Sequence, residues 1–517
     1  MSEKALQEST EVISQEQTND ESALLGNILE KEDIDAILKK EIIKELACND
    51  VQEKAVEKQL TQFINLIERL RRAKNEKDTD KVDPFIQYLL DAMKDVRNVP
   101  SLVINAMIDK IDLLISDQLN MIMHHSEFQK IEASWRGLNY LVTQTNTGEQ
   151  LKIKVLNVSK QELLKDMEPY KKYDQSEMFK KVYEEEYGTP GGEAYGALIG
   201  DYEFSNHPQD IGLLKKISEV AAAAHAPYIS AASPGLLSMK SFTDIPSKYK
   251  LETIFSKPEY AQWRSFRDSE DSRYVSLVLP HVLLRLPYGE KTDPVESFTF
   301  EEAVSGKDHK RYLWGNAAYA LAVRITEAFD KYGWCVAIRG AEGGGKVENL
   351  PAHIFEHEGA STLKCPTEIE ITNRREKELA DLGFITLSSY KHQSYAAFIS
   401  TQTTNKPKKN NDSANLSSQL QYMLAVSRFA HYLKSIMRDK VGSFMSREET
   451  ERFLNQWISQ YVGNEQKARF PLKEARIDVC EIPGKPGAYN AVAYLRPHYQ
   501  LNEINVSIRM VAKIEQK

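Results

Sequence analysis

Apolar residues recur at helical spacing through the first quarter of the chain and at alternating spacing through the last tenth. Leu24, Leu25, Ile28 and Leu29 make one stripe, which Ile34, Ile37, Leu38, Ile42, Ile43 and Leu46 continue; Leu60, Phe63, Ile64, Ile67 and Leu70 make another. The charged run Arg71 to Asp83, closed by Pro84, reads as a linker. Helices are then predicted through Tyr88–Val96, and from Val103–Leu119 into Met121–Thr143. Residues 1–20 are rich in Glu, Gln, Ser and Thr with little to bury, and read as a disordered terminus. Residues 21–145 are therefore expected to be almost wholly helical.

From Leu151 the period changes. Leu151-Lys152-Ile153-Lys154-Val155 alternates as a strand and a helix begins near Lys160. Ala197–Asp201 and Ala226–Ser230 are short apolar runs on either side of a helix over Ile211–Ala224. Strand and helix keep alternating through Val275–Leu286, Leu313–Phe329 and Trp334–Ile338, which predicts an α/β or α+β body over residues 146–400. A polar loop is expected at 401–415, then helices over Leu416–Met437 and Arg447–Tyr461. Within 416–517, Ile477, Val479 and Ile482 alternate before a Pro/Gly turn, Tyr489 to Leu495 alternate after it, and Val506, Ile508 and Met510 form a last strand. A chain ending in such a strand has an edge to hide, in its own sheet or a neighbour's.

Bulk properties narrow the function. At 517 residues two or three domains are expected. The net charge of −8 gives no general reason to approach nucleic acid or an anionic membrane. Cys48, Cys335, Cys365 and Cys480 are scattered, as reduced thiols of a cytoplasmic protein would be. The polar, acidic start has no apolar run, so no secretory signal is expected; the uncharged stretch Val220–Met239 is broken by His225, Pro227, Pro234 and Gly235, so a buried segment is expected there and no membrane span.

Several motifs tempt a chemical reading. Gly340-Ala341-Glu342-Gly343-Gly344-Gly345-Lys346 has P-loop spacing, but Val347 stands where a Mg²⁺-ligating hydroxyl belongs and Pro351 makes a poor helix start. His353 to His357 fits the H-x-x-E-H metalloprotease pattern, yet Pro351 and Gly359 leave two helical turns at most. His124 and His125 are adjacent and cannot chelate one ion from a helix. Gly188 to Gly192 follows an acidic helix where a dinucleotide fingerprint would follow a strand. No catalytic residue, cofactor or metal is expected. Two alternatives stay open on the residues alone: an enzyme built on Gly340–Lys346 or on His353 and His357, and a soluble adaptor that binds helices through residues 21–70.

The remaining strings are specific as whole strings. Ile131-Glu132-Ala133-Ser134-Trp135-Arg136-Gly137-Leu138 closes the helical part; Trp263–Arg267, Asp271–Tyr274, Leu286–Gly289 and Leu313–Ala320 come after it. Lys364–Ile369, Leu379–Phe384, Ile436–Met445 and Tyr494–Leu501 complete the set. From about Met107 to Ala512 this resembles the large subunit of the contractile sheath of bacterial type VI secretion systems, the TssC or VipB family. The resemblance implies an α+β protein akin to phage tail sheath proteins, with a C-terminal β segment shared between subunits. It implies a small sheath subunit (TssB or VipA) and neighbouring sheath copies as partners, with an inner tube of Hcp hexamers and a baseplate. In systems that carry one, an AAA+ unfoldase, ClpV, recycles the sheath by gripping an N-terminal helix. Val506, Ile508 and Met510 are the expected shared strand, and Leu24, Leu25, Ile28 and Leu29 the expected unfoldase handle. The small subunit and the recycling factor are expected to meet the helical region 21–145.

Overall fold

The computed structural model describes residues 101–498 apart from 168–171, 246–249, 297, 307–308, 358–359, 392, 394, 408–411, 441–445, 464–468 and 482–488. The chain divides into two units, Met1–Ala106 and Met107–Lys517, and the second holds every sheet and core cluster among the described residues. Helix α1 (Ser101–Met123) runs to His124-His125, where the chain breaks and α2 (Ser126–Thr143) begins. The break has a local cause: the His125 side chain caps α2 by accepting from the Glu127 N–H. One face of α2 packs on α6 (Ala318–Tyr332), where Leu141 meets Tyr319, Ala322 and Val323. A Cβ on Gly137 would sit 2.4 Å from the Tyr319 ring, so only glycine lets the two helices approach this closely. Gly137→Ala is expected to cost about 1–3 kcal/mol of unfolding free energy, read from the urea midpoint.

Beyond α2 the expected strand at Leu151–Val155 does not form: residues 151–158 take no regular secondary structure and join no ladder. The sheet starts after α3 (Lys160–Met167) and a π-helix, Lys180–Gly188. Its strands are β1 (Leu198–Phe204), β2 (Tyr228–Ala232), β3 (Val275–Leu279), β6 (Lys346–Val347), β9 (Phe384–Ser389) and β10 (Ala396–Phe398), in the order β1-β2-β3-β9-β10-β6. The first four run parallel, and β10 and β6 close one edge antiparallel. β2 and β3 are buried along their whole length, which requires cover on both faces and explains their unbroken apolar runs. Tyr228, Val275, Leu277 and Phe384 face one layer, with α4 (Pro208–Ala224), α5 (Ala261–Arg267) and α7 (Asn373–Asp381). Ile229, Val278, Ile385 and Leu387 face the other, where α6 lies. The stretch Val220–Met239 runs through the end of α4 and β2 and is largely buried. Among the described residues no helix is long and apolar enough to cross a membrane.

The polar segment after β10 lies inside the protein. Thr401, Thr403, Thr404 and Asn405 are buried, and their side chains are satisfied: Thr403 donates to the Ser418 carbonyl (2.9 Å), Thr404 to Ser272 (2.8 Å) and Asn405 to Ser269 (2.8 Å). Polar residues here mark a hydrogen-bonded core seam. Trp334–Ile338, expected to be regular, is irregular backbone, fixed because Trp334 stacks on Phe429 with ring centroids 4.5 Å apart. Phe429 belongs to α8 (Leu420–Asp439), whose first turns (Leu420, Leu424) fill the sheet core. Its middle fills a separate core with α9 (Arg447–Ser459) and β11 (Leu472–Glu481). β11 pairs antiparallel with β12 (Tyr489–Pro497) in a two-stranded sheet of their own.

Candidate assembly surfaces

Helices α1 and α2 are fastened to the α/β body by buried charge. Arg285, just after β4 (Val282–Leu283), which pairs with β5 (Trp314–Gly315), donates from Nε to Glu132 on α2 (2.7 Å) and from Nη2 to Glu302 Oε1 (3.1 Å), with Nη1 on Glu302 Oε2. Side-chain exposure is 6% for Arg285 and 1% for Glu302. His124 at the α1–α2 break lies 3.1 Å from the same carboxylate, and the Tyr288 N–H donates to it at 2.9 Å. Arg136 adds a bond from Nε to Glu132 (2.7 Å) and one from its guanidinium to the Tyr288 hydroxyl (2.8 Å). Burial by itself lowers the Arg285 pKa, but the carboxylates of Glu302 and Glu132 outweigh it and raise the value. For Glu132, burial pushes the carboxyl up, and Arg285 and Arg136 more than reverse this.

Because one side of α2 is spent on α6, its opposite side shows what is left over. Phe128, Ile131, Trp135 and Val142 are all exposed, Trp135 at 69%, and their spacing of three, four and seven puts them on one line. On α1, Ile108, Ile111, Ile115 and Ile122 repeat the pattern, each at least 42% exposed. Exposed apolar rows of this kind are the sort of surface that a protein, a ligand or a membrane covers. At the other end of the chain, Val492 and Tyr494 of β12 are exposed, and among the described residues β11 and β12 form a two-stranded ladder whose β11 strand is also bridged at Leu472 to Val462.

The chemical candidates dissolve in this fold. After Gly340 (φ 73°) the glycine run makes a tight turn closed by the Gly345 N–H on the Gly340 carbonyl (2.9 Å), and leads into strand β6 where a P-loop needs a helix. A Cβ at Gly344 would stand 2.1 Å from the Ala337 carbonyl oxygen, so the glycines serve close backbone packing. Lys346 pairs with Glu348 and lies over the Tyr395 ring. His353 bonds Tyr312 at 2.6 Å, and the chain from it to His357 continues as β7 (Ile354–His357), paired with β8 (Ala360–Leu363). On extended chain, positions four apart stand about 13 Å from each other, too far to share an ion. Among the described residues no group of three or more His, Cys, Asp or Glu is placed to hold a metal. Burial pushes the Cys335 thiol up to about 12, the reverse of what a nucleophile needs.

Val506, Ile508 and Met510, and Leu24, Leu25, Ile28 and Leu29, lie outside the described residues. The Arg285–Glu302 clamp was not singled out by sequence reasoning, since nothing local distinguishes a buried Glu from a solvated one. The outward stripe of α2 had a signal in Phe128, Ile131 and Trp135, but the same spacing also suits a core face.

Two family models cover most of the chain: EvpB/VC_A0108, tail sheath N-terminal domain, over residues 105–405, and EvpB/VC_A0108, tail sheath gpW/gp25-like domain, over 409–514. A curated protein of Pseudomonas aeruginosa, the type VI secretion system sheath protein TssC1, is 46% identical over 485 residues, spanning 90% of this chain and 97% of its own. Among solved structures, the anti-feeding prophage baseplate aligns at TM-score 0.32 with 11% identity, over 58% of this chain and 66% of that one. The sheath complex of an extracellular contractile injection system in its contracted state aligns at TM-score 0.33 with 6% identity, over 57% and 68%.

Proposed function

Because this chain belongs to the VipB family of type VI secretion tail sheath proteins, we propose that it is the large sheath subunit, which pairs with a small subunit, polymerises around an Hcp inner tube and contracts to drive that tube out of the cell. The work is done by surfaces. No chemical step is needed, because an extended sheath that packs less favourably than a contracted one releases its energy as a cooperative change between two states. Assembly takes place in the cytoplasm, on a baseplate.

The observation that carries the pairing is the apolar line Phe128, Ile131, Trp135 and Val142, on a helix whose other face is already occupied. In this reading the region 21–145 meets the small subunit, and Leu24, Leu25, Ile28 and Leu29 offer ClpV a handle where that unfoldase is present. The last segment, with Val506, Ile508 and Met510, adds a strand to a neighbouring copy's sheet. The test is co-expression with the product of the adjacent gene, followed by negative-stain electron microscopy. Wild type should give tubules. Trp135→Glu combined with Ile131→Asp should abolish co-purification while the melting temperature of the large subunit stays where it was. A doubly substituted chain that still pairs and polymerises would defeat the assignment of this face.

A further inference from the structure

Leu151 to Val155 carry the alternation of a strand, yet residues 151–158 join no ladder. Leu151, Ile153 and Val155 alternate with polar neighbours, and the order segment–α3–β1 has the strand–helix–strand grammar that places a new strand parallel to β1. The segment already lies there. Lys152 pairs with Glu193, Lys154 lies 5.6 Å over the Tyr195 ring, the Tyr202 hydroxyl donates to the Val158 carbonyl (2.5 Å) and Lys160 donates to the Glu203 carbonyl (2.6 Å). These partners climb the two segments in the same direction. Ile153 packs beside the cluster of Leu141, Tyr319 and Val323. Yet among the described residues no backbone–backbone hydrogen bond reaches 152–157, and Val155 and Leu156 stand 67% and 53% exposed.

The register shows why. The tethers Lys152 to Glu193 and Lys154 to Tyr195 join residues 41 apart, and those at Val158 and Lys160 join residues 44 and 43 apart, while Lys154 also pairs with Glu186. The β1 side therefore runs two to three residues longer over this span. A surplus of two is visible in the sheet itself: between Ile199 and Glu203, β1 advances four residues while β2 advances two, from Ile229 to Ala231. A bulge in an edge strand disrupts the local ladder and keeps further strands from pairing.

We infer that residues 151–157 are a seventh strand of the sheet, held off β1 by the bulge at Gly200–Tyr202 in the free chain and zipped onto it when sheath subunits assemble. The inference rests on the sheath reading. The free chain leaves Val155 and Leu156 in water, whereas packing against a neighbouring copy would favour the docked arrangement.

Hydrogen exchange on the full chain co-expressed with its small partner, compared before and after tubule formation, reads the change directly. Amides of 152–157 should exchange at least about 100-fold more slowly in tubules. Adjacent residues of a strand aim their N–H groups to opposite sides, so of Lys154→Pro and Val155→Pro only one removes a donor aimed at β1. That one should block tubules, the other should permit them, and both should melt like wild type. Tubules whose 152–157 amides stay open, or proline variants that both assemble or both fail, overturn the docked strand alone. If wild type gives no tubules, the sheath reading falls and takes this inference with it.

Discussion

Arg285→Ala will lower the unfolding free energy by about 3–5 kcal/mol, enough to bring much of the population near its melting point at growth temperature. The size comes from what remains behind. Glu302 is 1% exposed and keeps only the Tyr288 N–H and His124 as partners, so its charge stays in a poorly solvated place without its main counter-ion. Glu132 loses one of its two guanidinium partners and retains Arg136. Arg285→Lys should fall between the variant and wild type, since a single ammonium cannot span two carboxylates on different segments as a guanidinium does. Arg285→Ala with Glu302→Leu should recover part of the loss by removing the stranded charge. Urea denaturation of the four proteins measures this, and a loss under 1 kcal/mol for the first variant would show that the clamp contributes nothing to stability.

Acid will weaken the junction between α4, α8 and the π-helix, and His431 sets the window. Its Nε2–H donates to the Ala224 carbonyl at 2.9 Å, and its ring lies 5.2 Å from that of Tyr187, with His225 and Lys434 in the same cluster. Burial, then the positive charge of Arg428, His225 and Lys434, press its pKa down to about 4, against the hydrogen bond to Ala224. The unfolded chain takes up this proton near pH 6.5 and the native state only near 4. The stabilisation is thus complete above pH 6.5 and lost as pH falls from there to about 4, by about 3 kcal/mol. His281 has the opposite sign. Held between Glu203 and Glu368, it is raised to about 10 despite burial, so its contribution is full below pH 6.5 and lost as pH rises through 10. Stability measured between pH 7.5 and 4.5 should fall less steeply in His431→Phe than in wild type; identical slopes would remove His431 from the explanation.

The parts of the fold legible in the sequence were those whose signal is periodic and whose environment is uniform. β2 and β3 sit between two layers, so their apolar runs had one reading, and α4 repeats its apolar face at helical spacing over one of those layers. The C-terminal pair β11–β12 was visible because alternation and a Pro/Gly turn occurred together. Other features depended on partners far away in the chain. Thr401 to Asn405 look solvated until Ser272 and Ser418 supply their hydrogen bonds. The alternation at Leu151–Val155 called for a strand that does not form, because pairing depends on a distant sheet edge that the local pattern does not describe. The glycine run at 340–345 matched nucleotide-binding spacing because close backbone packing and phosphate binding both demand residues without a Cβ.

The double membership of α8 has a mechanical meaning. Leu420 and Leu424 are gripped by the sheet layer, and Phe429 by Trp334, Trp457 and Tyr461, so a single rod about 30 Å long is clamped near one end and at its middle. A rod held at two points cannot slide in one housing without dragging the other. Any torque applied at the β11–β12 end will reach the six-stranded layer as a rigid tilt, and the two bodies will swing together like a bell-crank.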